Sequence, residues 1–157
     1  MTGWRIGYMA GPRPLIQAAE KLQAQFTSGA NSIAQWAAVA ALSSDLGPTQ
    51  AMCDAFKARS EFVYEALRSM PGVKISPPQG AFYAFPDMSA FLGTTEARKT
   101  DEDLCLHLLH EAHVATVAGS AFGQPGCLRI SFANSMENLE AAMDRIKTAL
   151  GKIPLED

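Results

Sequence analysis

The sequence predicts an α/β fold on three observations. From residue 49 onward, segments with apolar residues at helical spacing alternate with short period-2 segments, in the order α-β-β-α-β-β-α. Glycine and proline punctuate the points where one pattern gives way to the other. With 157 residues, the chain is long enough for one packed domain plus a piece of another. Such an order closes into layers of helix on sheet.

The opening "MTGWRIGYMAGP" reads as a strand. Trp4, Ile6, Tyr8 and Ala10 alternate with Gly3, Arg5, Gly7 and Met9, so one face is large and apolar and the other holds Arg5 between two glycines. Gly11-Pro12 turns the chain. Leu15, Ala18, Ala19, Leu22 and Phe26 then predict a helix over 14–26, with Pro14 in its first turn. "TSGANS" breaks it, and Asn31 or Ser32 caps the alanine-rich "SIAQWAAVAALSS". Gly47-Pro48 ends that helix and sets the domain boundary, giving segments 1–48 and 49–157.

A longer helix follows over 49–70, its apolar face made by Met52, Ala55, Phe56, Val63, Ala66, Leu67 and Met70, and Pro71-Gly72 stops it. Val73–Ile75 predicts a strand, "SPPQG" a turn, "AFYAF" a second strand and 86–100 a loop. Thr100 and Asp103 have the spacing of a capping box, with Asp101 and Glu102 at the helix's positive end. Leu104, Leu108, Leu109 and Ala112 form the expected buried face. "VATVA" and "CLRISFA" read as strands joined by the glycine-bearing "GSAFGQPG". Asn134 or Ser135 caps a last helix in which Leu139, Ala142, Met143, Ile146 and Leu150 share a face.

Composition narrows the functions. Hydrophobic residues make up 48% and charged residues 18%, with a net charge of −3 and no basic run, which argues against nucleic-acid and anionic-membrane partners. No apolar run approaches the length of a membrane span, and no secretion signal opens the chain. Three cysteines without a C-x-x-C pair fit reduced thiols in the cytoplasm.

Two arginines stand out. In "CLRISFA", Leu128, Ile130 and Phe132 occupy one face, while Arg129 lies on the other among the small residues Cys127, Ser131 and Ala133. A planar guanidinium with space beside it, as at Arg5 and Arg129, suits bidentate binding of a carboxylate or phosphate. The alternative is a solvated edge arginine, or one paired with a structural carboxylate. His107, His110 and His113 diverge around their helix, which reads as a solvated face rather than a metal site. The glycines between 119 and 126 lack phosphate-loop spacing, and Ser120 lacks a nucleophile context. Phe82 and Tyr83 read as packed strand aromatics, with a pocket wall as the alternative.

"MTGWRIGYMAGP", "SPPQGAFYAFPD" and "GSAFGQPGCLRISFANS", in this order and at these separations, resemble the class I aminotransferases, the pyridoxal-phosphate enzymes related to aspartate aminotransferase. The resemblance implies the C-terminal portion of a fold-type I enzyme. In that reading 1–48 is a tail of the large, cofactor-bearing domain (a strand plus helices), and 49–157 is the small C-terminal domain. It assigns Arg5 to the phosphate of pyridoxal phosphate and Arg129 to the substrate α-carboxylate, with Gly80 and Phe82 lining the substrate side. The family's Schiff-base lysine precedes M-T-G-W-R, upstream of Met1, so no residue here takes the catalytic role. Lys21, Lys57, Lys74, Lys99, Lys147 and Lys152 lie outside that context.

The resemblance therefore implies transfer of an amino group between an amino acid and a 2-oxo acid. It also implies a chain inactive by itself with weak or no cofactor binding, and a homo-oligomer. Two alternatives stay open: a non-catalytic assembly or regulatory module, and a fragment of another fold-type I enzyme, a lyase or synthase.

Overall fold

Short-range signals decide where the helices start. The structure, a computed structural model, describes residues 1–93 and 99–155, and it divides into two units, Met1–Pro48 and Thr49–Asp157. In the first unit, Pro14 enters at the start of a helix, where its missing N–H costs nothing, and α1 runs Arg13–Phe26. The Asn31 side chain accepts the Ala34 N–H at 3.1 Å and starts α2, Ser32–Ser43.

The opening strand does not form. Thr2–Trp4 is a single 3-10 turn closed by Arg5 in the left-handed region at φ 50°, and residues 6–12 have no regular structure. Alternation says which faces a strand would show, but an extended segment also needs a neighbour for its N–H and C=O groups. Among the described residues, Met1–Pro48 contains no strand to supply one. The α/β class holds for the chain; the strand in its first segment does not.

Burial in this unit is slight. Ala34 alone among the described residues of 1–48 is buried, while Tyr8 is 90% and Trp36 75% exposed.

The second unit has the core. Asp45 accepts the Gly47 N–H at 2.8 Å, and α3 runs Gly47–Arg68, beginning slightly before the expected start. Three short strands, β1 (Tyr83–Ala84), β2 (Val117–Ala118) and β3 (Leu128–Ser131), form an antiparallel sheet in the order β1-β3-β2. Tyr83 faces Ser131 and Ala84 faces Ile130; on the other side Val117 faces Arg129. The strand expected at Val73–Ile75 reduces to one bridge between Lys74 and Asp87. Prolines 77, 78 and 86 withhold the ladder donors that would lengthen it. Within the predicted 86–100 loop, Ser89–Phe91 forms a 3-10 turn, and 94–98 lie outside the described residues.

α4 (Asp101–His107) opens on the capping box: Thr100 accepts from the Asp103 N–H, and the Asp103 carboxylate accepts from the Thr100 N–H at 2.9 Å. It continues as a wider π-helical turn, Leu108–Ala112, closed by His113 at φ 52°. The widening rotates the later side chains about the axis, so Leu108 is buried whereas Leu109, expected beside it in the core, is 44% exposed.

α5 (Met136–Leu150) starts where Ser135 accepts the Asn138 N–H, and it buries Leu139, Met143, Ile146 and Leu150. These join Val63 and Leu67 of α3 with Leu128 and Ile130 of β3 in one cluster. Each fully buried side chain of this size contributes about 1.5–3 kcal/mol, which makes this cluster the main stabilising element of the unit.

Candidate anion-binding sites

β3 sends Leu128 and Ile130 into the core and turns Arg129 and Ser131 to the opposite face. Beyond the small residues that its own strand puts beside it, Arg129 meets two rings from other elements. Its Cζ is 4.5 Å from the centre of the Tyr83 ring and 4.4 Å from that of Phe122. The register places Tyr83 there, because its partner Ser131 is two residues from Arg129 on the same face.

Phe122 arrives on the 3-10 turn Gly119–Phe122, which two backbone bonds hold: the Gly119 N–H donates to Cys127 at 2.8 Å, and the Gln124 N–H donates to Gly119 at 3.0 Å. A Cβ at Gly119 would run into the carbonyl oxygens of Gln124 and Cys127, so only glycine fits that position. Asp101, 3% exposed, accepts the Ser120 N–H at 2.6 Å and anchors the turn to α4.

Among the described residues the ion pairs are Lys57 with Glu61 and Glu65 with Arg68, and Arg129 takes part in neither. It is a cation held by aromatic faces, with no carboxylate paired to it among the described residues.

Beside this face, Lys74, Tyr83, Phe85, Asp87 and Cys127 line a groove of about 440 Å³. Hydrogen bonds from the Ser89 hydroxyl and N–H hold the Asp87 carboxyl below its ordinary value, with Lys74 adding to the effect. Burial pushes the Cys127 thiol up, and the charges of Asp87 and Asp101 push it further.

Phe82 belongs partly to the core, 6.2 Å from Phe56, and also meets Tyr83 at 4.4 Å, which links it to Arg129 through one ring. Gly80 lines a separate groove of about 560 Å³ beside α3, together with Phe56, Pro78 and Phe132. The structure thus gathers Arg129, Tyr83 and Phe122, reaches Phe82, and leaves Gly80 apart. Period-2 alternation in "AFYAF" puts Tyr83 on the outer face. No local signal marks Phe122.

Arg5 is described within its own unit. It is exposed, its guanidinium donates to the Thr2 carbonyl at 3.2 Å, and it lines a groove of about 760 Å³ with Gly7, Tyr8, Glu20, Gln23 and Asn31. A left-handed backbone at a non-glycine residue costs about 1–2 kcal/mol. A Cβ on Gly3 or Gly7 would meet nothing within 4 Å among the described residues.

Elsewhere, His110 and His113 are exposed, and no cluster of metal-ligating side chains occurs among the described residues. No helix there is long and apolar enough to cross a membrane.

The family model for aminotransferases of class I and II matches residues 1–146. The chain belongs to that family. It is 46% identical over 157 residues to a bifunctional aspartate aminotransferase and glutamate/aspartate-prephenate aminotransferase of Petunia hybrida, covering 96% of this chain and 33% of that protein. It is 45% identical to an aspartate aminotransferase of Geobacillus stearothermophilus, covering 93% and 37%. Among solved structures, the aspartate aminotransferase of Rhizobium meliloti superposes with a TM-score of 0.88 at 41% identity, covering 98% of this chain and 40% of that one. An alanine aminotransferase of Pyrococcus furiosus superposes at 0.82 with 34% identity, covering 96% and 39%.

The chain therefore spans a third to two-fifths of the length of these aminotransferases. Family members use pyridoxal phosphate. The residues present fit the phosphate end of that group: Arg5 is an exposed cation that no carboxylate neutralises among the described residues, and it stands between two glycines with open space at their Cβ positions.

Proposed function

We propose that this chain is the C-terminal part of a pyridoxal-phosphate-dependent aminotransferase that moves an amino group between an amino acid and a 2-oxo acid. In this reading Met1–Pro48 belongs to the large domain and Thr49–Asp157 is the small one. The observation that carries it is Arg129, oriented by two rings and left without a carboxylate partner among the described residues.

Arg5 would hold the cofactor phosphate through guanidinium N–H donors, with Gly3 and Gly7 giving it room. Arg129 would hold the substrate carboxylate in a bidentate pair, which fixes the orientation of the carbon beside it. Gly80 and Phe82 would line the substrate side. When bound, pyridoxal phosphate supplies an electron sink for charge developing at that carbon. The chain contributes anion binding and orientation. Its six lysines lie outside the family's catalytic context, so the proton shuttle is assigned to no residue of this chain, and the chain alone is inactive.

The exposed apolar side chains of Met1–Pro48 favour association with further polypeptide, including a second copy as a homodimer. Three free cysteines support a reducing compartment, the cytoplasm.

The test is an absorbance titration of the purified chain with pyridoxal phosphate, followed by an amino acid and a 2-oxo acid. The expected spectrum stays that of the free cofactor, and no amino transfer occurs. Turnover by this chain alone would overturn the assignment of the proton shuttle elsewhere.

A further inference from the structure

We propose that Tyr83 and Phe122 are positioning residues for Arg129: their rings pre-orient the guanidinium for an incoming carboxylate while leaving its charge and its N–H donors available. This inference rests on the assignment of Arg129 to the substrate carboxylate made above.

The geometry carries it. The Arg129 Cζ lies at almost the same distance from two ring centres, 4.5 Å for Tyr83 and 4.4 Å for Phe122. A free arginine side chain samples many rotamers, and binding a carboxylate in one of them costs the entropy of the others. A carboxylate neighbour would fix the rotamer but would also consume the donors and compete with the ligand. An aromatic face attracts the cation through its quadrupole and takes no N–H in a conventional hydrogen bond.

Both rings are themselves held. Tyr83 sits on β1 in register with Ser131 and meets Phe82 at 4.4 Å. Phe122 meets Phe85 edge to face at 6.3 Å, and its turn is tied down by Asp101 and by the close packing at Gly119. Phe122 is also 49% exposed, more than a ring retained for core packing would be.

The experiment uses the full chain labelled with ¹⁵N and follows the arginine side-chain Nε–H signals. The Arg129 signal is identified by its loss in Arg129→Lys, and succinate is the carboxylate probe. The expected Arg129 signal is displaced upfield by the two rings, shows through-space contacts to both sets of ring protons, and moves on addition of succinate. Phe122→Leu and Tyr83→Leu return it toward the other arginines and weaken succinate binding about two- to fivefold, because about 0.5–1 kcal/mol of side-chain ordering then falls on the binding step. Phe122→Tyr and Tyr83→Phe keep a ring and retain both properties, while the remaining arginine signals, unchanged throughout, report an intact fold.

A wild-type Arg129 signal without ring contacts overturns the proposal with no variant needed. Leucine variants that bind succinate like the wild type overturn it as well. A ring-shifted Arg129 that ignores succinate in the wild type overturns the carboxylate assignment itself, and the positioning role with it.

Discussion

The Asp101 carboxylate accepts the backbone N–H of Ser120 at 2.6 Å, joining the first residue of α4 to the turn that carries Phe122. The bond is to Ser120's backbone; its hydroxyl is buried and has no hydrogen-bond partner among the described residues. Two residues in contact should therefore respond oppositely to truncation.

Asp101→Ala leaves a partly buried N–H without its acceptor and should cost about 1–3 kcal/mol in urea denaturation. Ser120→Ala removes an unsatisfied hydroxyl and should be neutral or slightly stabilising. Equal losses at the two sites would show that the side chain of Ser120, rather than its backbone, makes the tie.

Leu108 and Leu109 form a second contrast. Leu108→Ala opens a cavity in the core and should cost about 2–5 kcal/mol. Leu109→Ala, on the exposed side of the π-helical turn, should cost well under half as much. Similar losses would restore the regular helical face that the sequence suggests.

Acid should loosen the start of α4. The Thr100 hydroxyl and N–H, with the Lys99 N–H, hold the Asp103 carboxyl below the ordinary 3.8. Ser89 does the same for Asp87. A carboxyl depressed in the folded state contributes stability above its unfolded value, and that contribution fades as pH falls through the folded one. The urea midpoint should thus fall as pH drops below about 4, and the slope should shrink in Asp103→Asn and Asp87→Asn. A double variant with the wild-type slope would assign the acid sensitivity to other groups.

Thiol chemistry should separate the cysteines. Cys53 is exposed on α3. Burial pushes the thiols of both Cys105 and Cys127 up, although Thr116 partly offsets this at Cys105. Since the thiolate is the reacting species, native iodoacetamide should label Cys53 first, as peptide mass mapping would read, and all three should react alike in denaturant.

Helices were legible because their signals are local. Asn31, Thr100 with Asp103, and Ser135 each cap a turn within three residues, and all three caps are present. Strand extent was less legible, because a ladder depends on a distant partner: the period-2 pattern at 1–10 finds none within its unit, and that at Val73–Ile75 yields one bridge. The site divides in the same way. Alternation placed Arg129 on the outer face of its strand, whereas the rings beside it come from β1 and from a turn whose position depends on Asp101, contacts that no short window of sequence contains.

The scarcity of buried side chains in Met1–Pro48, where Ala34 alone among the described residues is buried, bears on how heat would melt this molecule. Heat-capacity change on unfolding follows the apolar surface newly exposed to water, and α1 and α2 already expose theirs. Calorimetry of the whole chain should register an increment of about 1.3–1.6 kcal/mol/K, as for Thr49–Asp157 alone, and not the roughly 1.9–2.4 kcal/mol/K of a fully cored protein of this length. The first unit would add only a shallow, sloping baseline, the thermal signature of helices that fray without a cooperative transition.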